Sequence, residues 1–310
     1  MKVLVTGAAG FIGRHVCAAL QKQGHDVTAV YRSTPPIPGA GVIWEAADLT
    51  QRSSWQRLLP GQDAIVHLAG RAHVMQERGD AAAAFAQHNL RPVRLMLEAM
   101  EDATPHVVLV SSIGVNGDET QGVPFTALDK PNPTEPYAVS KLQAETCLRE
   151  MATHRGVPWT VVRPPLVYGA DAPGNFARLV RLARSGLPLP LRAVANRRSL
   201  ISVQHLAVFM GRVIEDERAR GQIYLLSDND VDVSTGAIVA ALRTGMGQPE
   251  RLFRLPAGAL ALGAKLIGRE RLWRKLTGSL QIDASAMLDI GFEPALPTLE
   301  ALRNIGAELS

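Results

Sequence analysis

A glycine-bearing turn near the amino terminus constrains this chain more than any other feature. The apolar run Lys2–Thr6 leads into the turn, and an amphipathic segment of helical length, Phe11–Gln23, follows it. The turn carries Gly7, Gly10 and Gly13. Glycines at this spacing between a strand and a helix permit a tight turn and close backbone approach to a ligand. Because a helix N-terminus offers free N–H groups to an anion, the turn predicts a cradle for a pyrophosphate.

Short apolar runs alternate with helix-length segments through the first 165 residues. Val- and Ile-rich strands separated by helices predict a parallel sheet covered on both faces. Right-handed crossovers make it a doubly wound, Rossmann-like α/β sheet. The predicted strands are Lys2–Thr6, Asp26–Tyr31, Val42–Glu45, Asp63–Leu68, His106–Ser111 and Trp159–Arg163, and the predicted helices are Phe11–Gln23, Asp80–Ala103 and Pro136–His154.

Proline and glycine punctuate the chain after Arg163, as in Pro164-Pro165 and Leu187-Pro188-Leu189-Pro190. This change predicts loops and short helices, and a division into a dinucleotide-binding domain, 1–165, and a smaller α/β substrate domain, 166–310. The run Gln222–Ser227 is typical of a strand that returns to the main sheet.

Composition narrows the class of protein. The 310 residues are 46% hydrophobic, and 33 basic minus 29 acidic residues leave a net charge of +4, which excludes a disordered chain. Two cysteines exclude a disulfide scaffold and favour a reducing cytoplasm. The scattered basic residues predict no nucleic-acid partner, and no metal site is predicted.

The longest apolar stretch, Leu255 to Ile267, includes Lys265 and is shorter than a membrane span. It predicts no integral membrane segment. A buried helix is favoured, with a segment lying on a membrane surface as the alternative.

The end of the second strand bears on the choice of dinucleotide. Arg32 follows Tyr31 and lies 32 − 13 = 19 residues after Gly13, where an NAD-binding chain has an acid. A guanidinium suits a 2′-phosphate, so NADP(H) is favoured, with NAD(H) as the alternative. Asp48-Leu49, after the third strand, either contacts the adenine or caps a helix.

Two further segments predict proton transfer. Tyr137 and Lys141, four residues apart, lie on one face of a helix, where the ammonium is expected to lower the phenol pKa. Ser111-Ser112 ends the fifth strand, at the edge where parallel sheets bind ligands, and a serine hydroxyl there could hold the reacting oxygen.

Together these segments resemble the extended short-chain dehydrogenase/reductase family, and within it the NAD-dependent epimerase/dehydratase branch that acts on nucleotide sugars. The resemblance covers nearly the whole chain. Its marks are Thr6-Gly7-Ala8-Ala9-Gly10-Phe11-Ile12-Gly13, His67-Leu68-Ala69-Gly70, Asn89, Ser111-Ser112, Tyr137-Ala138-Val139-Ser140-Lys141 and Arg163-Pro164-Pro165-Leu166-Val167-Tyr168-Gly169.

The resemblance implies roles for these residues. Tyr137 would be the acid/base and Lys141 would bind the nicotinamide ribose, while Asn89 would support the scaffold behind the lysine. Ser112 rather than Ser111 would bind substrate, since 137 − 112 = 25 is similar to the serine-to-tyrosine interval of UDP-galactose 4-epimerases. The implied cofactor contacts are Gly7, Gly10, Phe11, Ile12, Gly13, Arg32, Asp48, Leu49, Leu68, Ala69, Gly70, Tyr137, Lys141, Pro164 and Val167.

In the second half the resemblance implies a UDP-sugar site. Asn175 and Arg198 would bind the diphosphate, and the Leu187–Leu191 loop would pass the uracil. Leu166 stands where many relatives have asparagine. Helices in 80–103 and 136–154 imply a homodimer.

Two reactions at C4 of a UDP-linked hexose follow from the resemblance. The leading one is reduction of a 4-keto sugar, because the Tyr31-Arg32 pair resembles NADPH-using ketoreductases. The C-terminal half also resembles bacterial proteins of surface-polysaccharide synthesis that carry out such a reduction. The close competitor is a UDP-glucose or UDP-N-acetylglucosamine 4-epimerase with tightly bound NAD, and a non-catalytic NADP-sensing regulator is a remote third. Dehydration is disfavoured because no acid stands beside Ser112.

Overall fold

The computed structural model describes residues 1–33, 41–72, 80–100, 104–228, 232–256, 258, 265, 268, 273 and 276–310. Most of the apolar stretch 255–267 lies outside these residues, so both interpretations of it stay predictions.

Seven parallel strands form the central sheet, which confirms the predicted doubly wound α/β fold. Their order is β3-β2-β1-β4-β5-β6-β9, so the chain moves outward from β1 on one side and then returns to build the other. The strands are β1 Lys2–Thr6, β2 Asp26–Tyr31, β3 Val42–Ala46, β4 Ala64–His67, β5 His106–Val110, β6 Trp159–Arg163 and β9 Gln222–Leu225. Two short strands, β7 Leu166–Tyr168 and β8 Leu200–Ser202, pair separately.

The central strands are apolar on both faces because helices cover both. Val3 and Val5 of β1 belong to a core cluster with residues of the first and seventh helices, whereas Leu4 belongs to a cluster on the other face. The alternation of side chains along a strand produces this division. β5, buried at all five positions, lies between two strands at the centre of the sheet.

Two of the predicted helices, Phe11–Gln23 and Pro136–His154, are close to those observed. The helices are α1 Phe11–Lys22, α2 Arg52–Leu58, α3 Ala81–Phe85, α4 Arg91–Ala99, α5 Pro136–Arg155, α6 Asn175–Arg184, α7 Val203–Glu215, α8 Thr235–Gly245, α9 Ala286–Asp289 and α10 Thr298–Glu308. None of the helices in the described part of the chain is long and apolar enough to cross a membrane.

The helix predicted at 80–103 is not continuous. A π-helical turn, Ala86–Leu90, separates α3 from α4, and residues 101–103 lie outside the described residues. Periodicity did not reveal the turn because one extra residue per turn leaves both flanking helices amphipathic.

The second half is more helical than its prolines and glycines suggest. α6, α7 and α8 have ten to thirteen residues, and the breakers lie at helix ends: Gly174, with φ +71°, precedes α6, and Pro297 precedes α10. β9 pairs in parallel with β6 although it follows residue 165, and the two-domain division stays a prediction.

Two buried histidines make the fold acid-sensitive. Burial lowers the pKa of His67 to about 3 and that of His106 to about 4, so both are neutral in the folded chain at pH 7. The unfolded chain binds protons at these sites below about pH 6.5, so the free energy of unfolding falls as pH decreases. We expect the two sites together to remove about 5 kcal/mol between pH 7 and pH 4.5.

Urea unfolding of His106→Gln at both pH values measures one site. The substitution should reduce the difference between the free energies of unfolding at the two pH values by about half of that amount. His154 is exposed on α5, and His154→Gln is the matched control that should leave the difference unchanged. An unchanged difference in His106→Gln would contradict the assignment.

Candidate active site

The turn between β1 and α1 has the shape of a phosphate cradle. Gly7 has φ +68°, and a Cβ there would lie 2.8 Å from the Ala69 backbone nitrogen. A Cβ on Gly13 would lie 2.2 Å from the Gly7 carbonyl oxygen, so the start of α1 packs directly on the turn. Gly10 caps α1 with no side-chain hydrogen bond. The turn therefore leaves its backbone open to an anion, and these residues fit a dinucleotide pyrophosphate.

The cradle lies at the switch point of the sheet, where parallel α/β folds bind ligands. β1 pairs with β2 on one side and with β4 on the other. The strand that follows β2 extends the sheet on the first side, and the strands that follow β4 extend it on the second. Beyond β4 the backbone nitrogens of Leu68 and Ala69 donate to the carbonyl and hydroxyl oxygens of Thr6, at 3.2 Å each. Segment 68–70 therefore borders the crevice beside the glycine turn.

Arg32 and Asp48 lie at the ends of neighbouring strands, β2 and β3. Arg32 is exposed, as a residue that binds a 2′-phosphate must be. The Asp48 carboxylate accepts from the Thr50 nitrogen and hydroxyl at 2.9 and 2.7 Å, and these bonds, assisted by Arg32, lower its pKa. The Leu49 carbonyl accepts from the Trp55 indole at 3.0 Å. Asp48 therefore caps the turn before α2, while its adenine contact stays a prediction.

Lys141 reaches the sheet edge from α5. Its Nζ donates to the Val110 carbonyl at the end of β5, at 2.9 Å. A Cβ on Gly70 would lie 3.3 Å from that Nζ and 2.9 Å from Asn89 Oδ1. Lys141, Asn89 and Gly70, which follows β4, therefore lie close together although they are far apart in the sequence.

Asn89 is directed inward by the π-helical turn. Its Nδ2 donates to Ser140 Oγ at 2.8 Å, and its Oδ1 accepts from the Arg71 nitrogen at 2.7 Å. The Ser140 hydroxyl donates in turn to the Tyr137 carbonyl at 2.7 Å. This chain of hydrogen bonds ties the first turn of α5 to the segment beyond β4, in keeping with the scaffold role the sequence implied for Asn89.

Tyr137 lies half-buried in the first turn of α5, with Phe85 packed edge-on at 5.8 Å between ring centroids. Burial raises the pKa of Tyr137 to about 12 and lowers the pKa of Lys141 to about 8, against the opposing charge of Glu145. The prediction that the ammonium lowers the phenol pKa is therefore wrong for this arrangement. The reason is that Lys141 directs its charge at the Val110 carbonyl while Tyr137 loses solvent. At pH 7 the phenol carries its proton.

Ser112 lies beside the first turn of α5. A Cβ on Gly114 would lie 3.5 Å from Ser112 Oγ and 3.3 Å from Ala138 Cβ, so the serine hydroxyl and the residue after Tyr137 flank one point. Ser112 is half-buried and its Oγ accepts from the Gly114 nitrogen at 3.2 Å. Ser111 is buried, and its hydroxyl has no hydrogen-bond partner within the described chain.

Sequence reasoning missed a buried ion pair beneath these residues. Arg163, at the end of β6, donates from Nη2 to Glu145 Oε2 at 2.6 Å, and both side chains are almost fully buried. Glu145 follows Lys141 by four residues on α5. The available signals were an acid one helical turn after Lys141 and an arginine that ends an apolar strand.

The predicted substrate residues lie in the second half. Asn175 is exposed at the start of α6, and Arg198, half-buried, pairs through its backbone with Val233. Burial lowers the pKa of Arg198, against the opposing charge of Glu119. Parallel pairing of β7 with β8 places Val167 beside the segment that follows Arg198. Pro164 is buried, and its carbonyl accepts from the Ile113 nitrogen at 3.0 Å.

A glycine cradle at the switch point, with a serine after the end of β5 and a tyrosine and a lysine on α5, defines an extended short-chain dehydrogenase/reductase. The NAD dependent epimerase/dehydratase family model matches residues 3–227, and this chain belongs to that family. Among the described residues no group of His, Cys, Asp or Glu is placed to hold a metal ion.

Individual relatives cover the chain almost completely. The UDP-glucose 4-epimerase of Vibrio cholerae is 31% identical over 97% of this chain and 93% of its own length. The 4-hydroxy-2-methyl-3-oxo-4-farnesyl-3,4-dihydroquinoline-1-oxide ketoreductase of Stigmatella aurantiaca is 28% identical over 99% and 91%. The crystal structure of UDP-N-acetylglucosamine 4-epimerase from Bacillus cereus superposes with a TM-score of 0.79 at 20% identity, over 100% and 99% of the two chains, and supports the fold.

Proposed function

We propose that this protein uses NADPH to reduce a UDP-linked 4-keto hexose at C4. Two observations support the proposal: Lys141 Nζ lies at the sheet edge on the Val110 carbonyl, and Ser112 Oγ lies beside the first turn of α5, which carries Tyr137. A phenol that holds its proton at pH 7 suits the reducing direction, in which the new hydroxyl group needs a proton.

The chain's own residues divide the work. The turn 7–13, the segment 68–70 and Lys141 would hold the dinucleotide, which supplies a hydride for C4 when bound. The Tyr137 hydroxyl donates its proton to the C4 oxygen, and the Ser112 hydroxyl donates a hydrogen bond to the same oxygen. Asn175 and Arg198 would bind the diphosphate of the sugar nucleotide, since a guanidinium suits two phosphates.

A 4-epimerase is the second candidate, favoured by the 31% identical relative named UDP-glucose 4-epimerase. The two reactions differ in how they use the dinucleotide. A reductase consumes one NADPH per turnover, whereas an epimerase keeps its NAD bound. Steady loss of NADPH absorbance with a UDP-4-keto-6-deoxyhexose would support reduction. Stoichiometric NAD that survives gel filtration, with interconversion of UDP-glucose and UDP-galactose, would support epimerisation instead.

Arg32→Asp should reverse the dinucleotide preference. Arg32 is exposed at the end of β2, so an aspartate there would repel a 2′-phosphate and accept from a ribose 2′-hydroxyl. We expect the ratio of NADPH to NADH affinities to fall about 100-fold, the product of one lost and one gained charged contact. Titration of dinucleotide fluorescence measures both affinities. Arg57→Asp, which alters an exposed arginine on α2 paired with Glu45, is the control and should not change the ratio.

A further inference from the structure

We propose that Asn116, held by the buried Arg163–Glu145 pair, is a positioning residue that fixes the turn carrying Ser112 against the catalytic helix α5. The inference rests on the proposed function, because Asn116 is assigned an effect through the Ser112 hydroxyl.

The Arg163–Glu145 ion pair fixes the position of α5 relative to the end of β6. Arg163 Nε donates to Glu145 Oε1 at 3.0 Å and Nη2 donates to Oε2 at 2.6 Å, with side chains 2% and 1% exposed. Burying two such charges costs free energy that their attraction does not reliably return, and an apolar pair of similar size would stabilise the core as well. The Arg163 guanidinium with its bonds to Glu145, called the fork below, joins α5 rigidly to the end of β6. This positioning role explains why two charges are buried here better than a gain in stability does.

The remaining arm of the fork reaches the loop after Ser112. Arg163 Nη1 donates to Asn116 Oδ1 at 2.9 Å, and Asn116 Nδ2 donates to the Thr126 carbonyl at 2.8 Å. Asn116 is 3% exposed; its bond to Arg163 is buried and its bond to Thr126 is partly buried. The asparagine therefore connects the fork to segment 116–126.

Asn116 also ends the turn that Ser112 begins. The turn Ile113–Val115 is 3-10 helical, the Ser112 side chain caps its start, and the Asn116 nitrogen closes it onto the Ile113 carbonyl at 2.9 Å. On the other side of the fork, Glu145 lies on α5 just over two turns after Tyr137. The fork thus sets the position of the Ser112 turn relative to the Tyr137 helix.

Asn116→Leu tests the proposal, because leucine has a similar size but makes neither hydrogen bond. We expect kcat for the UDP-4-keto-6-deoxyhexose to fall about tenfold, while the Kd for NADPH stays within about twofold. Asn116→Asp retains an acceptor for Arg163 Nη1 and should recover most of the lost kcat. The control is Thr160→Val, which removes a buried hydroxyl at the opposite end of β6 and should lower the melting temperature without lowering kcat.

A double-mutant cycle with Ser112→Ala separates positioning from general destabilisation. If Asn116 acts through Ser112, Asn116→Leu should have almost no further effect on kcat in the Ser112→Ala background. Multiplicative losses, or a recovery by Asn116→Asp no greater than by Asn116→Ala, would overturn the inference and leave the proposed function standing. A Ser112→Ala variant with full kcat would instead contradict the proposed function. If Asn116→Leu does not fold, the same cycle with Asn116→Asp and Asn116→Ala decides between these outcomes.

Discussion

Tyr137→Phe is expected to lower kcat by about 10³-fold, the size of a lost general acid. Phenylalanine keeps the ring that packs edge-on against Phe85 and removes only the hydroxyl. The Ser112 hydroxyl and the Lys141 ammonium remain, but in the proposed reaction neither gives its proton to the C4 oxygen. Stopped-flow or steady-state NADPH absorbance with a UDP-4-keto-6-deoxyhexose measures the loss.

Binding must be separated from chemistry in this variant. The Kd for NADPH and the melting temperature should both stay near the wild-type values, because the substitution keeps the ring contact with Phe85. Tyr224→Phe is the matched control: this buried tyrosine lies in β9 and packs against Phe209, and its variant should keep full kcat. Wild-type turnover in Tyr137→Phe would remove the phenol from the mechanism.

Gly13→Ala is expected to destabilise the fold and abolish dinucleotide binding together. The added Cβ would lie 2.2 Å from the Gly7 carbonyl oxygen and 2.6 Å from Ala8 Cα, both of them backbone atoms that cannot rotate away. The start of α1 must therefore move off the turn, at a cost of about 3 kcal/mol or more. A fall in melting temperature of about 6 °C or more is the corresponding observation.

Two other glycines separate the steric effect from the cradle. Gly10→Ala places a Cβ 3.2 Å from the Gly7 oxygen, so it should fold, but the methyl group would narrow the space for the pyrophosphate and weaken dinucleotide binding. Gly24 has φ +85° with open space around it, so Gly24→Ala should cost about 1 kcal/mol and leave binding unchanged. Equal melting temperatures for Gly13→Ala and wild type would show that the close packing does not exist.

Several features of the site were predictable because they depend on local chemistry. The glycine turn follows from backbone conformation, and the spacing of Tyr137 and Lys141 follows from the period of a helix. The choice of Ser112 over Ser111 came from a resemblance in spacing and stays a prediction, although the Ser112 hydroxyl does lie beside the first turn of α5.

Other features depend on partners that are distant in the sequence. The pKa of Tyr137 was predicted in the wrong direction because helical phase places two residues on one face but does not say where each charge points. The Val110 carbonyl, which accepts from Lys141, belongs to another strand. The π-helical turn that directs Asn89 inward was likewise invisible to a pattern that both flanking helices satisfy.

The sequence alone determined the fold class, because alternating apolar runs and amphipathic segments permit one kind of sheet and a glycine triplet opens its first helix. It also determined which side chains could carry chemistry. Only the tertiary structure decided how they are charged and held, since burial of Tyr137 and the fork of Arg163 onto Glu145 and Asn116 arise when segments far apart in the chain exclude water together.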